Sequence, residues 1–235
     1  MTLRDFGWNE VYFLLLAARW TVMLSLLAFA GGGVLGIVVA AMRVAPAAWA
    51  RHAARVWIRA LQGTPLLVQL LIVYYGSSFI GLRPDNWTAA AITLSLNSSA
   101  FFGEIWRGCI ESIGVGQWDA ARAVGFRFLP ALRLVVLPQA LRLMLAPTIG
   151  YMVQIVKSTS VVSLIGIPEL TRSAVLINSV TFEPLQVFSL VAATYFVLCW
   201  PLSLAAEWLG QRMDNARSSG IGDIFRNRPT PRPAA

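Results

Sequence analysis

Five polar side chains stand inside long apolar stretches of this sequence: Gln69, Asn97, Tyr151, Gln154 and Lys157. Amides, a phenol and one ammonium can hydrogen-bond the carboxylate and ammonium of a small zwitterion. Polar groups within a membrane span are costly, which makes each a functional candidate by default. Asn and Gln also join helices to one another, worth about 1 kcal/mol apiece, so both readings stand. If the Lys157 ammonium faced lipid it would cost a few kcal/mol; it must pair, snorkel, or sit inside the bundle near a helix break. Covalent chemistry finds no support. The chain has no G-x4-G-K-[ST] phosphate loop, and its single lysine follows Val156 in an apolar run. His52 has no Cys, Asp or Glu within a few residues, so metal-ligand spacing is missing. Cys109 and Cys199 lie in or beside apolar segments and read as small buried residues. Glu104 and Arg107, three apart, read as a structural ion pair.

The elements that must hold these groups are membrane spans. Of 235 residues, 57% are hydrophobic and only 13% charged, against roughly 25% charged in ordinary soluble domains. Trp20 to Met42 carries no charge, and about 23 residues at 1.5 Å each cover ~35 Å, enough for the hydrocarbon core. This first span extends outward toward Val11. Ala60–Leu82 forms a second, broken by Gly63, Thr64, Pro65 and Gly76. Asn86–Gly103 forms a third, rich in small residues suited to close helix packing. Leu143–Pro168 and Pro184–Ala206 complete an expected all-α bundle of about five transmembrane helices, spanning 11–209. Arg4 and Asp5, ahead of so long an apolar run, argue against a cleavable signal peptide.

Five spans put the termini on opposite sides, and the basic residues choose which. With the N-terminal segment 1–10 outside, Arg43, Arg51, Arg55 and Arg59 fall inside, as do the arginines of the 109–142 loop and of the 210–235 tail. The outside keeps only Arg4, Arg83 and Arg172. The net charge of +8 is therefore a topology signal rather than a nucleic-acid footprint. From Ser218 the tail, rich in Pro and Arg, reads as disordered.

Within the largest inside loop stand Gln117-Trp118-Asp119-Ala120-Ala121-Arg122-Ala123-Val124-Gly125 and, nine residues later, Val135-Val136-Leu137-Pro138. The alanines leave a helical surface nearly bare, so that a partner can approach the backbone, and Trp118 offers it a large apolar anchor. Asp119 is expected in the first turn, where the helix dipole favours an anion. Gly125 permits a reversal, and Pro138 is expected to end the second short helix.

This pattern resembles the E-A-A-x3-G-x9-I-x-L-P signature of the cytoplasmic loop in permease subunits of ABC importers. Gly63-Thr64-Pro65-Leu66-Leu67-Val68-Gln69, Tyr74-Tyr75-Gly76, Leu94-Ser95-Leu96-Asn97, Glu104-Ile105-Trp106-Arg107-Gly108 and Lys157-Ser158-Thr159-Ser160 follow in the order of the polar amino-acid permeases. The likeness covers Trp20 to Trp208. Asp119 stands where the family usually has glutamate, keeping the charge and shortening its reach. The resemblance implies a type I importer permease of MetI-like architecture in a bacterial inner membrane, N-terminus outside and C-terminus cytoplasmic. It further implies a mid-membrane pocket at the Asn97 position and the fourth span. Tyr151 stands where some permeases for cationic amino acids carry an acid, which points away from a strongly cationic substrate.

The implied partners are an ATPase homodimer holding ATP and Mg, a periplasmic or lipoprotein solute-binding protein, a second copy or sibling permease, and membrane lipid. The chain itself is expected to hold no cofactor and no metal and to bind no nucleic acid. A secondary transporter or channel driven by an ion gradient is the alternative. It would want an inverted repeat and central carboxylates, and neither is evident. A membrane enzyme would need a nucleophile with an acid–base partner, which is missing as well.

Overall fold

The computed structural model describes residues 6–226, with side chains as far as residue 213. Part of the 1–10 segment and of the 210–235 tail, including residues 227–235, therefore lies outside the described residues. Among those described, every regular element is helical. Helix α1 runs Trp8–Val44, α2 Ala48–Gln62, and α3 Leu66–Leu71, continued by a π turn, Ile72–Gly76, and a 3-10 turn, Ser77–Ile80. Helix α4 is Asn86–Glu111, α5 Val115–Ala123, and α6 Phe128–Ala131. A second π turn, Leu132–Val136, leads into α7, Leu137–Ser158, which ends in the 3-10 segment Thr159–Ile165. Helices α8, Leu170–Thr181, and α9, Pro184–Arg226, close the chain.

Three helical stretches are long and apolar enough to cross a bilayer: Trp8–Val44, Phe128–Ile165 and Pro184–Met213. A fourth is added if α2 and Leu66–Ile80, bent by 101° at their junction, are taken as one broken span. The remaining expected span is α4. Its 26 residues cover ~39 Å, but Thr93, Ser95, Asn97, Ser98 and Ser99 make its sequence too polar to qualify on hydropathy. Those groups turn away from lipid: Thr93, Ser98 and Ser99 are buried, and Asn97 is half-buried.

Two span boundaries differ from the expected ones. The second does not begin at Ala60, because Ala60–Gln62 belong to α2 and the chain bends at Gly63-Thr64-Pro65. Pro65 has no N–H to continue a helix, and the Thr64 hydroxyl turns back to the Ala60 carbonyl at 2.8 Å. The fourth begins near Phe128 rather than Leu143. Pro138 does not end a helix; it lies in the first turn of α7, where a missing N–H costs little. The π turn before it shifts the register, so that the Leu137 N–H reaches the Leu132 carbonyl, and the helical path continues through the proline.

The bundle is centred on α1 against α4. A Cβ placed on Gly32 would lie 2.4 Å from the Ser98 Cβ, and one on Gly36 2.7 Å from the Phe102 Cβ. From the other side, a Cβ on Gly103 would meet the Val39 Cγ1 at 2.4 Å. These backbones approach as closely as the absence of side chains allows. Between lipid-bathed helices that closeness replaces the hydrophobic drive, since lipid tails are as apolar as the side chains. Leu24, Ala28, Leu94 and Phe102 extend the contact into the main core. A second cluster joins Leu14 of α1 to Leu170 and Ala174 of α8 and to Val187 and Val191 of α9.

The ends of α4 are held separately. Asp85 caps its start, accepting from the Trp87 and Thr88 N–H groups and from the Thr88 hydroxyl, and the Thr88 hydroxyl bond leads in holding its carboxyl below the usual carboxylate range.

Gly32→Val puts branched carbons where the Ser98 Cβ already sits, and is expected to cost about 1–3 kcal/mol or more. Gly33 has open space around it, so Gly33→Ala is expected to be neutral or stabilising by up to ~1 kcal/mol. Thermal unfolding of the purified protein in detergent checks both; equal melting temperatures for the two variants would refute the close-packing account.

Candidate coupling loop and transport path

Helix α5 is the short element that carries Trp118, Asp119, Ala120 and Ala121. Its C-terminal end is a complete Schellman turn: the Phe126 N–H donates to the Ala121 carbonyl at 3.0 Å and the Gly125 N–H to the Arg122 carbonyl at 2.9 Å. Gly125 sits at φ +88°, a left-handed conformation in which a Cβ is strained. The chain reverses there into α6.

Three side chains of this loop point differently from the sequence expectation. Trp118 is not an outward anchor. It stacks on Phe128 with ring centroids 5.7 Å apart and packs against the cluster of Ile110, Ile113 and Val136, gluing α5 to α6 and to the end of α4. Ala121 is buried, because it lies one turn from Trp118 on the inward face. Only Ala120 and Ala123 remain exposed with Val124. Asp119 is not in the first turn, since α5 begins at Val115 and has no acid there. Its carboxylate meets Arg122 at 2.7 Å on the exposed face, an ion pair whose worth is about 0–1 kcal/mol.

A second tie runs from α5 to the base of α7. Gln139 Nε2 donates to Gln117 Oε1 at 3.2 Å and to the Val135 carbonyl at 2.8 Å. Leu137 packs on the same cluster as Trp118, while Pro138 is exposed. From α5 through α6, the π turn and α7, the loop is one body joined to a span without an unstructured linker.

Glu104 and Arg107 meet each other, and Arg107 also meets Glu111. The sequence reading missed Arg43, whose guanidinium lies 3.4 Å from Glu104. The pair thereby becomes a bridge between the end of α1 and α4. Arg43 stands 61 positions away in sequence, so no local spacing pattern could have flagged it.

The five polar candidates of the path separate into two groups. Gln69 is buried, and its Nε2 donates to the Leu61 carbonyl at 2.7 Å, the Thr64 carbonyl at 3.0 Å and the Thr64 hydroxyl at 3.0 Å. Its Oε1 accepts from Asn97 Nδ2 at 3.1 Å. Gln69 therefore pins the α2–α3 bend to α4, with its hydrogen-bonding capacity taken up inside the chain. Asn97 and Phe101 share a face of α4 one turn apart. Phe101 stacks on Tyr151 at 4.9 Å, and Gln154 and Lys157 follow on α7, both exposed. Lys157 lies in the last turn of α7, just before the 3-10 segment. Its ammonium sits at a helix break and makes no ion pair among the described residues. Asn97 of α4 and Tyr151 of α7 are thus half-buried, and they lead to Gln154 and Lys157, which are exposed on α7.

Glu169 was not foreseen. It is fully buried and caps α8, accepting from the Thr171 and Arg172 N–H groups at 2.9 and 2.7 Å and from the Tyr195 hydroxyl at 3.2 Å. The Leu170 N–H beside it donates to the Thr21 hydroxyl at 3.2 Å. The N-cap position of an acid two residues before a polar Thr-Arg pair was the available signal; the membrane-facing stretch around it obscured it.

Comparison with known proteins bears on what such a bundle does. Residues 32–215 match the family described as "Binding-protein-dependent transport system inner membrane component". The chain is 36% identical over 208 residues to the glutamine transport system permease protein GlnP of Escherichia coli (strain K12), covering 88% of this chain and 95% of that protein. A solved structure described as an amino acid ABC transporter with histidines superposes with a TM-score of 0.82 at 32% identity, over 90% of this chain and 100% of the other. At 15% identity, an inward-facing MetNI methionine ABC transporter shares the fold, with a TM-score of 0.74 over 88% of this chain and 99% of the other. The helical bundle, its apolar spans and these matches lead to one conclusion: the chain belongs to the family of binding-protein-dependent transport system inner membrane components, as an amino-acid ABC transporter permease of MetI-like fold.

Proposed function

We propose that this chain is the translocating subunit of an ATP-driven importer of polar amino acids, paired in the inner membrane with a second copy or a sibling permease. Its N-terminus faces outward and its C-terminus lies in the cytoplasm. A dimer of separate ATPase subunits, which hold ATP and Mg, docks against the α5 loop. A periplasmic or lipoprotein solute-binding protein delivers the substrate. The chain breaks no covalent bond itself.

The observation that carries this reading is the mechanical continuity of the loop. A push on α5 cannot be absorbed locally, because Trp118, Gln117 and the Gly125 turn tie that helix to α6, α7 and the end of α4. It passes into the span that bears Tyr151, Gln154 and Lys157. Closure of the ATPase dimer would bring two such loops together and tilt the spans, exchanging access from one side of the membrane to the other; the nucleotide shifts the balance only through its differential binding to the two states. The glutamine permease relationship, and Tyr151 at the position where some permeases for cationic amino acids carry an acid, support a polar amino acid that is not strongly cationic as cargo.

Gly125→Pro is incompatible with φ +88° and removes the N–H that closes the Schellman turn. In proteoliposomes containing the ATPase, substrate-loaded binding protein is expected to stimulate ATP hydrolysis through the wild-type chain and not through this variant. Gly116→Ala, which has open space around its Cβ, keeps coupling. Coupled uptake through a normally assembled Gly125→Pro transporter would sink the role given to the loop.

For the path, Gln154→Ala is expected to lower uptake several-fold with melting temperature unchanged, since Gln154 is exposed and bonds to nothing else described in the chain. Tyr151→Glu is expected to shift preference toward cationic amino acids. Unchanged selectivity and rate in competition uptake assays would remove α7 from the path.

A further inference from the structure

Helix α2 divides its circumference into three faces. Ala50, Ala54 and Ile58 are buried, and Ala54 and Ile58 pack with Val39 of α1 and Ala100 of α4. At 100° per residue a second face carries Trp49, Ala53, Val56 and Ala60, all exposed and all apolar. Trp49 is 74% and Val56 54% exposed. The third face carries Arg51, His52, Arg55 and Arg59, and the helix contains no acid at all.

Arg51 is already engaged, donating to the Ala45 and Pro46 carbonyls at the end of α1. Arg55 makes only a 3.3 Å bond to the backbone of its own helix. Among the described residues no carboxylate lies within ion-pair distance of Arg55 or Arg59. These two guanidiniums lie four residues apart on one face, next to an apolar strip that faces away from the protein.

The direction of the helix explains the combination. Helix α2 makes an angle of 101° with the segment Leu66–Ile80 that follows it, and Gln69 holds that bend. A helix perpendicular to a segment that enters the membrane lies along the membrane surface. There, one face meets the protein, one meets the acyl-chain boundary, and one meets headgroups. An exposed tryptophan beside an arginine row is the composition of an interfacial amphipathic helix.

We propose that α2 lies in the membrane interface and that Arg55 and Arg59 bind the phosphate of anionic phospholipid headgroups, with Trp49 and Val56 seated at the acyl-chain boundary. Guanidinium forks match phosphate oxygens in pairs, and each such arginine near an anionic surface favours binding by about fivefold. Bound lipid would brace the α2–α3 joint from the side that the protein leaves uncovered.

The purified full chain, exchanged from detergent into mixed micelles with equimolar phosphatidylcholine and phosphatidylglycerol, tests this by native mass spectrometry of retained lipid. Wild type is expected to retain phosphatidylglycerol preferentially. Arg55→Gln with Arg59→Gln is expected to lower that preference about fivefold for each arginine removed, with the melting temperature in lipid-free detergent unchanged. Arg55→Lys with Arg59→Lys keeps part of the preference, and Arg83→Gln, in the turn before α4, keeps all of it. Inorganic phosphate at millimolar concentration should not displace the lipid; displacement would mean that the arginines bind a free anion and would overturn the lipid assignment. An unchanged preference in the double glutamine variant would overturn it as well, leaving the arginine face to water or to a protein partner.

Discussion

The near contact of the α1 and α4 backbones is the constraint on which the other parts of this structure depend. Gly32, Gly36 and Gly103 have no space for a Cβ, and in lipid that closeness supplies the dispersion energy that burial from water supplies elsewhere. It fixes the height and rotation of α4, which in turn carries three devices along its length. Asn97 reaches the Gln69 bend, Phe101 stacks on Tyr151 of α7, and Glu104 meets Arg43 at the end of α1. A half-turn rotation of α4 would break all three together.

Polar groups serve this bundle mainly as joints. Gln69 satisfies the carbonyls freed where α2 ends at Thr64-Pro65, an obligation that an irregular backbone carries wherever water cannot reach it. Glu169 does the same for the N–H groups that open α8. The two π turns have a related task. Each accommodates an added residue in a helix, and the one at Leu132–Val136 carries the helical path into Pro138.

The helical class, the long apolar helices and the turn at Gly125 were legible in the sequence because they rest on local signals: apolar run length, glycine and proline placement, and fixed spacing. Gly125 is the clearest case, since a left-handed turn after a short helix is a demand on one residue. What was not legible depends on facing. Spacing places Trp118 and Ala121 one turn apart on a common face, but only the neighbouring Phe128 and Val136 decide that it turns inward. The start of α5 at Val115 removed Asp119 from the first turn, a matter of one or two residues that no motif encodes. Gln69 and Asn97 offer in sequence the same choice between lining and joining; the bonds of Gln69 to Leu61 and Thr64, and to Asn97 across 28 positions, make Gln69 a joint.

Helix α7 has one face buried in the bundle and another that carries the exposed Gln154 and Lys157. Its buried side, at Ala140, Met144, Ile155 and Val156, ties it to the bundle. Its base is continuous with α6 and locked to α5. Pro147 interrupts its hydrogen-bond ladder halfway along, and a helix with a missing bond bends there more readily than elsewhere. In the coupling proposed above, force applied to the exposed face of α5 would reach the Tyr151–Lys157 half past Pro147. The polar residues of that half would then change their direction relative to α4 while the Gly32–Ser98 contact stays fixed. The α1–α4 pair would be the stationary reference of that coupling and the half of α7 beyond Pro147 the moving wall.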